Sequence, residues 1–151
     1  MKKRNTKPEN KETKQNGYAG RIFLEHVALN VEDPVSMASW YCENLGMNIV
    51  KKGPAPANTR FISDAKGNIL LEVYNNPPND IPDYASMNPL LLHIAFMVDN
   101  VEKICRKLTA AGATVVDDMS ITDSGDIISM LRDPWGVPIQ FVKRAKPMLS
   151  K

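Results

Sequence analysis

The chain is poor in the side chains that most often carry metal and redox chemistry. Its 151 residues include two histidines and two cysteines. The cysteines, Cys42 and Cys105, form no Cys-x-x-Cys pair, which excludes a thiol zinc knuckle or a dithiol redox motif. Both fall in helical stretches and are expected as reduced thiols packed on helix faces, the pattern of a cytoplasmic protein. No apolar run approaches the ~20 residues that span a bilayer, so no membrane partner is expected. The first twenty residues lack an apolar core, so they do not read as an export signal. A strong excess of one charge is also missing, the net charge being +2. Residues 1–20 carry six Lys/Arg against two Glu, and the rest carries thirteen Lys/Arg against fifteen Asp/Glu. The basic stretch 1–20 therefore reads as a disordered tail. The body offers no basic face for nucleic acid.

What the chain does have is a repeat, and the repeat carries both histidines. Leu24-Glu25-His26-Val27-Ala28-Leu29-Asn30-Val31 is echoed by Leu91-Leu92-His93-Ile94-Ala95-Phe96-Met97-Val98. Each copy alternates with period two, as a strand with one covered face does. Each is followed by a helical stripe, Val35/Ala38/Tyr41/Leu45 ending at Gly46 and Val101/Ile104/Leu108/Ala111 ending at Gly112. Asp33-Pro34 supplies an N-cap and a first-turn proline for the first helix. Strands follow over 47–50, 59–63 and 69–74, and again over 113–117, 127–131 and 138–142. The turn Asp64-Ala65-Lys66-Gly67 has its counterpart in Asp133-Pro134-Trp135-Gly136. The segment 75–89, rich in Pro, Asn and Asp, links the halves.

The expected architecture is α+β: two tandem βαβββ modules, about 22–76 and 90–143, within a domain of 21–144, with a short tail at 145–151. Each helix covers one face of its strands, leaving the other face of a curved mixed sheet to wall a cavity. The helix-facing phase is apolar: Val27, Leu29, Ile69, Leu71, Val73, Ile94, Phe96, Ile139 and Phe141. The other phase holds His26, Glu72, His93 and Gln140 at matched places in the two halves. A lone histidine on a strand is ordinarily a satisfied polar residue. Two at equivalent positions, with a carboxylate and an amide oxygen beside them, suit one divalent ion such as Zn, Ni, Co, Fe or Mn. Tyr74 shares the strand face of Glu72. Trp40 and Trp135 are expected to pack rather than to bind ligand.

These stretches, with Trp40-Tyr41-Cys42-Glu43-Asn44-Leu45-Gly46-Met47, Leu70-Leu71-Glu72-Val73 and Asp133-Pro134-Trp135-Gly136-Val137-Pro138-Ile139-Gln140-Phe141, resemble the vicinal oxygen chelate superfamily. This is the glyoxalase/bleomycin resistance/dioxygenase group, and the resemblance covers about residues 22–143. It implies His26, Glu72, His93 and Gln140 as the metal ligands, and a small-molecule substrate chelated through two neighbouring oxygens. It also implies a homodimer. Glyoxalase I of the bacterial kind has His, Glu, His, Glu in this order, so Gln140 is a departure. The animal form carries a Gln at the first position, and methylmalonyl-CoA epimerase has His, Gln, His, Glu. Ring-cleaving dioxygenases need an acid at the fourth position, and Gln140 counts against that chemistry. The expected activity is that of a metal-dependent lyase or isomerase of the lactoylglutathione lyase type, with Glu72 as the base. A metal-free drug-binding protein of the bleomycin resistance type is the alternative. Asn30 stands where glyoxalase I has an Arg for the glutathione carboxylate, and Asn76 where it has a glutathione-contacting Asn. Asn30, Tyr74 and Asn76 are the expected substrate contacts.

Overall fold

The computed structural model describes residues 22–67, 70–77 and 79–149. The basic stretch 1–20 and the strand residue Ile69 lie outside the described residues. Ten elements follow in the order the repeat implies. The first module has β1 (His26–Asn30), α1 (Pro34–Leu45), β2 (Asn48–Lys52), β3 (Arg60–Ser63) and β4 (Leu70–Tyr74). The second has β5 (Ile94–Met97), α2 (Val101–Ala110), β6 (Thr114–Ile121), β7 (Ile127–Arg132) and β8 (Pro138–Lys143). They make two four-stranded mixed sheets, β1-β4-β3-β2 and β5-β8-β7-β6, which do not join into one closed wall. In each, the first strand runs parallel to the last and the other pairings are antiparallel. Among the described residues no helix is long and apolar enough to cross a membrane.

Local chemistry sets the helix ends. The Asp33 carboxylate accepts hydrogen bonds from the Val35 and Ser36 amides, satisfying two of the amides that a helix start leaves unpaired. Those bonds, the Ser36 contact foremost, hold its pKa below the usual carboxylate range. Gly46 adopts φ 68° and closes α1, and Asn100 caps α2 by accepting from the Lys103 amide at 2.8 Å.

Three boundaries differ from the alternation pattern. β1 begins at His26, later than the alternation from 21, with the Leu70 amide donating to the Glu25 carbonyl just before it. The second repeat copy enters its sheet only at Ile94, since a turn over 88–91, closed by the Leu91 amide on the Asn88 carbonyl, holds the chain out. β6 runs on to Ile121, paired with Ile127 across a tight Thr122–Asp126 turn. Val27, expected to face the helix, is 42% exposed, because α1 lies over β2, β3 and β4 and does not reach the edge strand there.

The core is single and lies between the modules. Leu29, Met37, Ile62 and Val73 of the first pack into one cluster with Leu108, Leu131, Ile139 and Phe141 of the second. Tyr41, wholly buried, lies against Phe96 and donates from its hydroxyl to Asp133 at 2.8 Å. Trp40 and Trp135 pack edge to face, as expected, and the Trp40 indole N–H donates to the Ala111 carbonyl. The linker is strapped down by Arg132, whose guanidinium donates to the carbonyls of Tyr84, Met87 and Gly136. Cys42 and Cys105 are free, half-buried thiols on α1 and α2, and burial pushes both thiol pKa values up, away from the reactive thiolate.

Candidate functional site

Strand register decides which side chains share a face. Ala28 pairs with Glu72, Glu72 with Phe61, and Phe61 with Lys51, so one row crosses all four strands of the first sheet. The row lies on the face away from α1, since its neighbours Leu29, Val73 and Ile62 are the buried ones. The second sheet repeats it as Ala95, Gln140, Met130 and Asp117. His26 stands two residues before Ala28, and His93 two residues before Ala95. His26, Glu72 and Gln140 thus lie on strands at matched places, and His93 falls one residue before its strand.

His26 and Glu72 are brought together. The His26 Nε2 lies 3.3 Å from Glu72 Oε2, and the Glu72 side chain keeps 21% of its surface open to approach. On its far side the ring contacts Glu25 through Nδ1. Glu25 therefore fixes the ring orientation and leaves Nε2 as the nitrogen that faces Glu72. The Glu25 contact foremost, with the charges of Glu25 and Glu72 adding and desolvation opposing, raises the His26 pKa. Phe61 meets the imidazole edge-on at 5.8 Å, and the Lys51 ammonium sits 5.5 Å from the centre of the Phe61 ring.

The other expected residues fall elsewhere. His93 is exposed and directs Nδ1 to the Pro89 carbonyl at 3.0 Å. Gln140 is half-buried in the second row. Among the described residues no three or more His, Cys, Asp or Glu side chains converge on one metal position. Asn30 and Asn76 do meet, but as a brace, with the Asn30 Oδ1 accepting from the Asn76 amide at 2.9 Å. The Tyr84 hydroxyl donates to the Asn30 carbonyl beside them. Tyr74 is half-buried in the phase of Glu72. A cleft of about 480 Å³ between the linker and the Asp133–Gly136 turn contains none of the seven expected residues.

Sequence reasoning passed over Glu25, Phe61 and Lys51. The alternation that picked out His26 and Glu72 also gives Phe61, directly opposite Glu72. Lys51 was hidden by a β-bulge. Ile49 pairs with Ile62 and Lys51 with Phe61, leaving Val50 as the extra residue. Simple alternation would have set Val50 opposite Phe61.

The donor chemistry of the first half-site, an imidazole Nε2 and a carboxylate oxygen converging with Nδ1 already engaged, fits a borderline divalent ion. The topology is that of a known group. The sequence profile of the Glyoxalase/Bleomycin resistance protein/Dioxygenase superfamily matches residues 23–141, and the chain belongs to that superfamily. A probable lactoylglutathione lyase of Synechocystis sp. is 27% identical over 128 residues, covering 81% of this chain and 95% of the relative. Among solved structures, glyoxalase I from Zea mays superposes with a TM-score of 0.67 at 22% identity, covering 82% of this chain and 45% of the maize protein. TnmS3, an antibiotic binding protein from Streptomyces sp. CB03234, gives 0.66 at 17% identity, covering 85% of this chain and 100% of its own. At these identities the two structures establish the fold.

Proposed function

We propose that the protein is a glyoxalase-like lyase or isomerase. It acts on a small substrate with two vicinal oxygens, at a site that His26 and Glu72 of one chain form with His93 and Gln140 of a second copy. The observation that carries this reading is the His26–Glu72 pair, held by Glu25 on the face of the first sheet away from its helix, with His93 and Gln140 at the equivalent positions of the second module. The shared core ties the helix-bearing backs of the two sheets together, so the opposite faces of one chain are left unjoined. These faces and their margins carry exposed apolar side chains, among them Leu90, Leu91, Met97 and Met119, which a second copy would cover.

His26, Glu72, His93 and Gln140 would hold the ion. When bound, a divalent metal supplies Lewis-acid polarisation of the two substrate oxygens. Glu72 takes the carbon-bound proton beside the carbonyl and returns it to the neighbouring carbon, an isomerisation in which no electron acceptor is needed. Glu25 keeps the His26 ring from rotating away, and Asn30 and Asn76 fix the loop after β4 at the edge of the face.

Metal uptake measured by calorimetry, followed by turnover of the glutathione–methylglyoxal hemithioacetal, tests the reading. Glu72→Gln is expected to keep the fold and lose turnover, whereas full activity in that variant removes Glu72 as the base. Co-expressing His26→Ala with His93→Ala tests the shared site. Random pairing in a two-fold dimer gives one intact site in each mixed dimer, and so about a quarter of wild-type activity. No recovery rules out a site built from two chains.

The fold likeness to an antibiotic binding protein and the open apolar faces favour a second reading, metal-free sequestration of a small molecule. Elemental analysis of protein purified without chelator separates the two, because sequestration requires no stoichiometric metal.

A further inference from the structure

The bulge in β2 changes what the proposed site offers its ligand. With regular pairing the residue opposite Phe61 would be Val50, whereas the extra residue brings Lys51 there instead. The ammonium is then carried on the same sheet face as Glu72, two strands away, or roughly 10 Å at ~4.8 Å per strand. It lies 5.5 Å from the Phe61 ring centre, and Phe61 in turn meets the His26 imidazole. Among the described residues Lys51 makes no ion pair with a carboxylate. The nearby Arg60 is engaged, its guanidinium donating to the carbonyls of Gly53, Asn58 and Thr59. The equivalent row of the second sheet ends in Asp117, also placed by a shift in register, so the two rows terminate in opposite charges.

We infer that Lys51 receives a carboxylate at the far end of the substrate, which is therefore a small monoanionic acid whose vicinal oxygens lie several bonds from its charge. This rests on the reading of the His26–Glu72 face as the substrate site. A single ammonium matches a single negative charge. A dianionic phosphate would keep one charge unmatched, because the row contains no second Lys or Arg. The Phe61 ring gives the aliphatic part of such a ligand a surface between the two polar ends.

The test uses a pair of probes on Zn²⁺-loaded full-length protein. Adipic acid monohydroxamate carries adjacent oxygens at one end and a carboxylate at the other, and its terminal carboxamide has the same shape without the charge. Calorimetry is expected to show the carboxylate binding about three- to fivefold tighter, the size of one solvent-facing ion pair. Lys51→Met should abolish that preference while leaving the carboxamide affinity unchanged, and Lys51→Arg should retain it. Raising the salt should shrink it. Equal binding of the two probes to wild type, a preference that survives Lys51→Met, or a loss of both probes in that variant overturns the inference while leaving the site reading intact. Failure of either hydroxamate to bind the metal-loaded protein overturns the site reading, and the inference with it.

Discussion

Asp133 gives the sharpest stability prediction. It is 3% exposed and accepts three hydrogen bonds, from the Tyr41 hydroxyl on Oδ2 and from the Trp135 and Val137 amides on Oδ1. Burial outweighs those donors and lifts its pKa from 3.8 to about 6. The native state therefore binds the proton more tightly than the unfolded chain between about pH 4 and 6, and stability falls as pH rises through that window. A difference of about two pH units, at about 1.4 kcal/mol each, amounts to about 3 kcal/mol, with no further loss above the window. Asp33, Asp83 and Asp126 have lowered pKa values, so their contribution is complete above the ordinary carboxylate pKa and is lost only in more acidic solution. Urea unfolding of wild type and Asp133→Asn from pH 4 to 8 isolates the effect. The amide keeps an acceptor for the two turn amides and cannot titrate, so the wild-type-minus-variant difference should fall by about 3 kcal/mol between pH 4 and 7. The variant should equal or exceed wild type at pH 7.5. Asp133→Ala strands all three donors and should cost about 3 kcal/mol or more at every pH. Parallel curves for wild type and Asp133→Asn, or a variant clearly weaker than wild type at pH 7.5, would refute the reasoning.

Two further outcomes follow from geometry. A Cβ on Gly136, at φ 84°, would lie 2.7 Å from the Ala85 backbone nitrogen, whereas a Cβ on Gly46, at φ 68°, would meet nothing within 4 Å. Gly46→Ala should thus cost about 1 kcal/mol of conformational strain, and Gly136→Ala several times that, with the linker displaced, by thermal unfolding. Glu25→Ala should release the His26 ring, so ¹⁵N correlation spectra of the metal-free protein should show mixed tautomers and divalent-metal affinity should fall about tenfold. Glu25→Gln should restore a single tautomer, and an unchanged His26 spectrum in Glu25→Ala would discard the positioning role.

The order of elements was legible because the repeat states it twice, with caps and glycines marking the same places. His26 and Glu72 were legible because phase is a property of alternation, and the sheet register preserves it. The sequence could not reveal where alternation breaks. The bulge at Val50 moves Lys51 onto a face that period two assigns to its neighbour. The turn over 88–91 keeps His93 just outside its strand, although the repeat reads through it. Glu25 acts through an adjacent-residue contact that has no periodicity at all. How the modules sit together depends on tertiary packing of Trp40, Tyr41 and Asp133, residues 71 to 92 positions from their partners.

The Tyr41–Asp133 bond also makes the two halves unequal. Tyr41 lies eight residues after its helix cap at Asp33, and the residue eight after the cap at Asn100 is Leu108. Both are fully buried, yet Leu108 carries no hydroxyl where Tyr41 has one. The contact runs one way, from the first helix to the second turn. A chain made of two second halves would bury a carboxylate beside leucine, and one made of two first halves would present tyrosine to a turn with lysine where Trp135 stands. The halves share a pattern, but the bond that joins them uses a side chain that only the first helix supplies.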